Sequence, residues 1–169
     1  MSKQDESTAN QKTNAEKPKV RIEQKQAFLV AGLRYEGKNE HGEIPAMWDL
    51  FLPRAGELVT DTGHLVAYGV ARALPNYAAG DVYEYLAGVE VASLANLPPG
   101  MVGWKIPALT YAVVPAHDVP GIGPASNYFY EWIAHSQEYN TGEGLTIEYY
   151  PETFGQDMIL YLYFPVKRK

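Results

Sequence analysis

Two stretches of the chain place apolar residues at helical spacing, and the stretches around them alternate at strand spacing. Ile44, Met47, Trp48, Phe51 and Leu52 fall at i, i+3, i+4, i+7 and i+8. That amphipathic stripe predicts a helix which Pro53 ends or frays. Tyr128, Phe129, Trp132 and Ile133 fall at i, i+1, i+4 and i+5, a second helical face, with Gly123-Pro124 suited to its start. The helix is predicted over 124–136. Strands are predicted over 26–36 (interrupted by Gly32), 64–73, 82–92, within 101–116, over 145–150 and over 158–166. The order β-α-β-β therefore occurs twice, over about 26–92 and 101–167, across the linker Asn96-Leu97-Pro98-Pro99-Gly100.

A unit with a single helix cannot cover both faces of its own strands, so the two units are expected to share one core. The expected fold class is α+β: one antiparallel sheet with both helices on one face and a ligand cleft between the halves. Within LTIEYY, Leu145, Ile147 and Tyr149 point to one side and Thr146, Glu148 and Tyr150 to the other. The helix-free face is expected to carry Glu148, Tyr150, Tyr161 and Tyr163 and to curve into the cleft. A mid-strand carboxylate among rings is costly to bury alone. Its partner is either a cation of the protein or a ligand.

Composition narrows the function. The chain has 169 residues, enough for one core, and no cysteine, which excludes disulfides and thiolate chemistry. Residues 1–22 read as a polar, disordered tail and 23–169 as the folded domain. No signal peptide and no membrane span is expected, and a cytoplasmic location fits. The net charge is −6, and beyond residue 20 there are 10 basic against 17 acidic residues. Such a body argues against direct nucleic-acid binding. The 13 Tyr and 3 Trp are the stronger signal, because these residues line ligand pockets as well as β-rich cores. Tyr68, Trp104, Tyr111, Tyr128, Tyr150 and Tyr163 are candidates for a cleft wall. Trp48 and Trp132 sit on helix faces, where a ring packs on the sheet or borders a cleft. Glu90 is a second mid-strand acid. His41, His64, His117 and His135 show no metal-ligand spacing, and neither a metal nor another cofactor is expected. Gly121-Ile122-Gly123 opens a helix rather than a dinucleotide loop, since Ser126 stands at the third glycine position and Pro124 lacks a donor.

The linker and strand LPPGMVGWKIPALTYAVV, the helix end EWIAHS, IEYY around Glu148, the ending LYFPVK, Trp48, Tyr68-Gly69 and AGVEV around Gly88 together resemble the GyrI-like small-molecule-binding domain. The same domain is the effector-binding module of AraC-type and MerR-type regulators. The resemblance implies a pseudo-two-fold fold with a ligand cleft where the halves meet. It further implies that Glu148 faces that cleft among aromatic rings, as in relatives that bind lipophilic cations. Without a helix-turn-helix domain ahead of it, the chain reads as a stand-alone module, a monomer or weak dimer, that binds a small lipophilic or cationic aromatic ligand. Two alternatives follow from the same family. One is hydrolysis of strained electrophiles such as cyclopropane-bearing genotoxins, with Glu148 as catalytic general base. The other is inhibition of a macromolecular partner.

Overall fold

The computed structural model describes residues 19–58 and 66–169. Among the described residues nine strands form one antiparallel sheet in the order β1-β6-β9-β8-β3-β4-β2-β5, with β7 pairing the far end of β9. The strands are β1 Arg21–Lys25, β2 Phe28–Gly37, β3 Ala67–Ala73, β4 Tyr83–Val91, β5 Val102–Ile106, β6 Leu109–His117, β7 Tyr139–Thr141, β8 Leu145–Tyr150 and β9 Ile159–Arg168. The helices are α1 Glu43–Phe51, α2 Ile122–Ala134 and the single turn α3 Phe154–Asp157. β1 begins two residues inside the segment read as tail; residues 1–18 of that segment, and His64 with the start of the strand predicted over 64–73, lie outside the described residues.

Both predicted helices form for the expected reason. α1 buries Ile44, Met47 and Phe51. Its start is fixed by Gly42 at φ 73, a left-handed turn that glycine adopts without strain, and by Asn39 Oδ1, which accepts from the Ile44 N–H at 2.9 Å. Pro53 does not stop the chain's helical path; the α-helix tightens into a 3-10 segment over Leu52–Glu57. α2 buries Ala125, Phe129 and Ile133, and the Phe129 ring stacks on Phe164 at 4.1 Å between centroids.

Each helix covers its own half of one sheet face. α1 packs with Ala31, Tyr85, Ala87 and Val89 of β2 and β4, whereas α2 packs with Ala112, Val114, Leu160 and Leu162 of β6 and β9. The halves join at β3 and β8, in the middle of the sheet. Where β2 and β4 cross, Gly32 faces Gly88, and a Cβ on either would collide with the partner strand's backbone. That explains the glycine interrupting the first predicted strand.

The assignment of faces needs correction. Glu148 and Tyr150 lie on the helix side, not on the helix-free side with Tyr161 and Tyr163. Register makes this unavoidable: Glu148 pairs with Leu162 of the α2-facing set, so Tyr161 and Tyr163 must point the other way. The helix-free face is not left open either. The sheet curls until Trp104 and Ile106 of β5 meet Tyr111 and Val113 of β6 in one buried cluster with Ile147 and Tyr163. β5 and β6 stand near opposite ends of the strand order, joined by only Pro107 and Ala108. Apolar parity in β8 therefore marks this inner cluster, not the helix-covered face.

Candidate functional site

Between α1 and α2, over β3 and β8, neither helix covers the sheet. A cavity of about 680 Å³ opens there. Its floor is kept low by small residues, Ala67 and Ala71 of β3, with Gly69 between them facing Glu148. Its walls are Trp48 of α1, Tyr83 and Tyr85 of β4, Tyr150 of β8, and Phe154 and Phe164 from the C-terminal half. The rings brace one another edge to face: Trp48 against Tyr150 at 5.6 Å and Tyr150 against Phe154 at 5.1 Å.

Glu148 sits at the centre of this floor. The Tyr85 hydroxyl donates to Oε1 at 3.0 Å, with Oε2 at 3.2 Å, and itself accepts from Trp48 Nε1 at 3.0 Å. The glycine at position 69 makes the contact possible. A Cβ there would run into the Tyr85 hydroxyl and lie 3.1 Å from Glu148 Oε1. Among the described residues no Lys, Arg or His pairs with the carboxylate. Loss of solvent pushes its pKa up to about 7, against the opposing pull of the Tyr85 hydrogen bond. Burial, with the Glu148 charge second, raises the phenol pKa of Tyr85 and of Tyr150. Both hydroxyls are thus neutral donors at physiological pH. The arrangement offers a carboxylate with spare acceptor capacity to anything entering a ring-lined space.

The structure divides the residues singled out from sequence. Glu148, Trp48 and Tyr150 come together in the cavity. Tyr68, Trp104, Tyr111 and Tyr163 belong to the inner cluster on the opposite side of the sheet. Trp104 is covered there by the Arg72 guanidinium, 3.7 Å above its ring, and Arg72 in turn pairs with the buried Glu84, which Arg34 also grips at 2.7 Å. The two guanidiniums, Arg72 first, hold the Glu84 carboxyl below its usual range. Trp132 and Tyr128 border a separate shallow depression of about 250 Å³ with Glu131 and His135, at the outer end of α2. Glu90 is exposed, on the helix-free side. Sequence reasoning missed Tyr85, the sole hydrogen-bond partner of Glu148 among the described residues. Its signal was the pairing of Gly69, a glycine in mid-strand, with a neighbouring strand carrying tyrosines at 83 and 85. No group of three potential metal ligands converges among the described residues, and no helix there is long and apolar enough to cross a membrane.

Residues 21–166, nearly the whole described chain, match Cass2, the integron-associated effector binding protein family. The chain belongs to this family. Its GyrI-like fold agrees with that of solved structures. The Vibrio cholerae integron cassette protein superposes with a TM-score of 0.66 at 15% identity, over 89% of this chain and 98% of that one. The structure of SAV2435 bound to tetraphenylphosphonium superposes with a TM-score of 0.69 at 14% identity, over 88% and 94%. The transcriptional regulator BrlR of Pseudomonas aeruginosa is 31% identical over 136 residues, 80% of this chain and 49% of the regulator. The Cass2-type chain thus spans about half the length of that curated relative and is related to the effector-binding domains of transcription regulators.

Proposed function

We propose that this Cass2-family protein captures lipophilic aromatic cations in the cavity between α1 and α2, with Glu148 as their counter-charge. The observation that carries the reading is a carboxylate with no cation beside it among the described residues, set among aromatic rings in a cavity sized for a drug-like molecule. A delocalised cation loses little hydration on entry and gains both the carboxylate and the ring faces. The tetraphenylphosphonium seen in the structurally similar SAV2435 supports the ligand class. The test is a titration with tetraphenylphosphonium and with its neutral analogue triphenylphosphine oxide, read by tryptophan fluorescence. The cation binds and the oxide binds far more weakly. Glu148→Gln weakens the cation by about 1–3 kcal/mol while leaving the oxide unchanged. Equal cation affinity in parent and variant removes Glu148 from this role.

One observation favours a second reading. A carboxylate raised to about 7 beside a phenol donor is matched to general-base work near neutral pH. In a hydrolase of strained electrophiles, Glu148 takes a proton from water as the water oxygen bonds to the ring carbon and the strained ring bond breaks. It then returns that proton to the released oxygen or carbon, while Tyr85 orients the carboxylate. Many turnovers of an epoxide or activated cyclopropane, lost by about 100-fold or more in Glu148→Gln, select this reading over simple capture.

A further inference from the structure

The edge strand β1 is built inside out. Arg21, Glu23 and Lys25 pair with Val113, Tyr111 and Leu109 and share their direction, toward the buried inner cluster, while Ile22 is 37% exposed. An edge strand ordinarily turns its apolar residues inward and its charges to water. Here the face beneath β1 consists of rings. The Lys25 ammonium lies 4.6 Å from the Phe28 centroid, 5.8 Å from Tyr68 and 5.9 Å from Tyr163. Tyr149 completes the group, 5.4 Å from Tyr68 and 6.3 Å from Tyr163. One turn of the pattern further on, the Arg21 guanidinium stands 6.0 Å over Tyr161. Tyr68 and Tyr163 are buried, but Phe28, Tyr149, Tyr161 and Lys25 are only half-buried, so the group opens to solvent.

We propose that these four rings, Phe28, Tyr68, Tyr149 and Tyr163, form a second cation site, with Lys25 as its resident and exchangeable occupant and a small quaternary ammonium as its ligand. Three features select that ligand class. Ring faces on several sides supply attraction to a positive charge without regard to direction. Among the described residues no hydrogen-bond acceptor or carboxylate engages the Lys25 ammonium, so the site does nothing for the three N–H donors of a lysine. A quaternary ammonium has no donors to leave unsatisfied and is more weakly hydrated. Glu90 and Glu23, the latter paired with Arg21 at 3.1 Å, stand near enough to Tyr68 to raise its phenol pKa behind the larger effect of burial, so carboxylates border the group. This site lies on the opposite side of the sheet from Glu148 and does not depend on the function proposed for that cavity.

Because Lys25 is tethered, a free ligand competes with it, and its apparent affinity falls by the fraction of time the cage is filled from within. The experiment uses the full chain carrying Glu148→Gln, so that the helix-side cavity lacks its acid. Choline and its neutral isostere 3,3-dimethylbutan-1-ol are titrated at constant ionic strength, and the ring resonances of Phe28, Tyr68 and Tyr163 are followed by carbon-edited NMR. Choline shifts these rings, and adding Lys25→Ala tightens its binding by about tenfold or more, while the alcohol leaves them in place. Lys25→Gln, which keeps the bulk of the side chain over the rings, guards against loss of β1 and shows the same direction of change. Absence of choline-dependent shifts in both lysine variants overturns the proposal. So do equal shifts with the alcohol, or shifts confined to Trp48 and Tyr150.

Discussion

Glu148 carries a cost when it is ionised and no ligand is bound. Its folded pKa of about 7 exceeds the ordinary carboxylate value, so the folded state holds the proton more tightly than the unfolded chain does. The sign follows from linkage. The neutral carboxyl is fully tolerated below about pH 4.5, and stability declines as pH rises through 7. Glu148→Gln is therefore expected to stabilise the empty protein by about 1–3 kcal/mol at pH 8 and by almost nothing at pH 4.5. Thermal melts of both proteins across that range check it, and a variant less stable at pH 8 would show that the carboxylate is paired in a way the geometry lacks. Gly69 makes a sharper probe of the same site. Gly69→Ala forces the Tyr85 hydroxyl away from Glu148, removing the contact that lowers the pKa of the acid. Tyr85→Phe removes it without crowding. Both variants are expected to raise the midpoint for cation binding above that of the parent, read from affinity against pH. Glu148, Trp48 and Tyr150 are candidates by residue type and family resemblance and line the cavity, but the face of the sheet on which Glu148 and Tyr150 lie was not legible in the sequence. Nor was Tyr85, because its role depends on a hole in the neighbouring strand, and an absent side chain makes a quiet signal.

At the scale of elements, the sequence was most readable where one period dominated. Of the predicted stripes, Ile44, Met47 and Phe51 of α1 and Phe129 and Ile133 of α2 are buried, Trp48, Tyr128 and Trp132 are half-buried, and Leu52 is exposed. β1 escaped notice because the side chains it turns toward the sheet's inner cluster are charged, and β7, with sequence YNT, is too short to show a period. The more instructive error lies in β8. Alternation reports that two faces differ but not which of them receives the helices, and the apolar set Leu145 and Ile147 went to the curled side. Packing then sets what each element contributes. Phe129 is buried against Phe164 and anchors α2 over β9. Phe129→Ala is expected to destabilise the fold by about 3–5 kcal/mol through lost burial and the cavity left behind. Chemical denaturation measures this directly, and a cost below about 1 kcal/mol would mean that α2 repacks freely.

The whole molecule explains why a cavity exists at all. Each half places one helix over its own outer strands, so the seam between β3 and β8 is left uncovered by both. Ala67, Gly69 and Ala71 keep that seam low, while rings from both halves rise around it. Burial in that space pushes the Glu148 pKa up to about 7, and this makes ligand capture a proton exchange. A cation stabilises the Glu148 carboxylate, so proton and cation compete for one site. With a pKa of about 7, roughly half of the empty molecules carry the proton at pH 7. Binding a cation there should release about half a proton, rising toward one at pH 5.5 and falling toward zero at pH 8.5. Apparent affinity should weaken by about tenfold for each pH unit below 7 and level off above it. The phenols of Tyr83, Tyr85 and Tyr150, all raised chiefly by burial, titrate above this window. Calorimetric titration of tetraphenylphosphonium in buffers of different ionisation enthalpy separates proton release from binding heat. In Glu148→Gln the release should vanish together with the pH dependence. A binding curve flat between pH 5.5 and 8.5 in the parent would show that the cation is held by the rings alone and that Glu148 keeps its proton throughout.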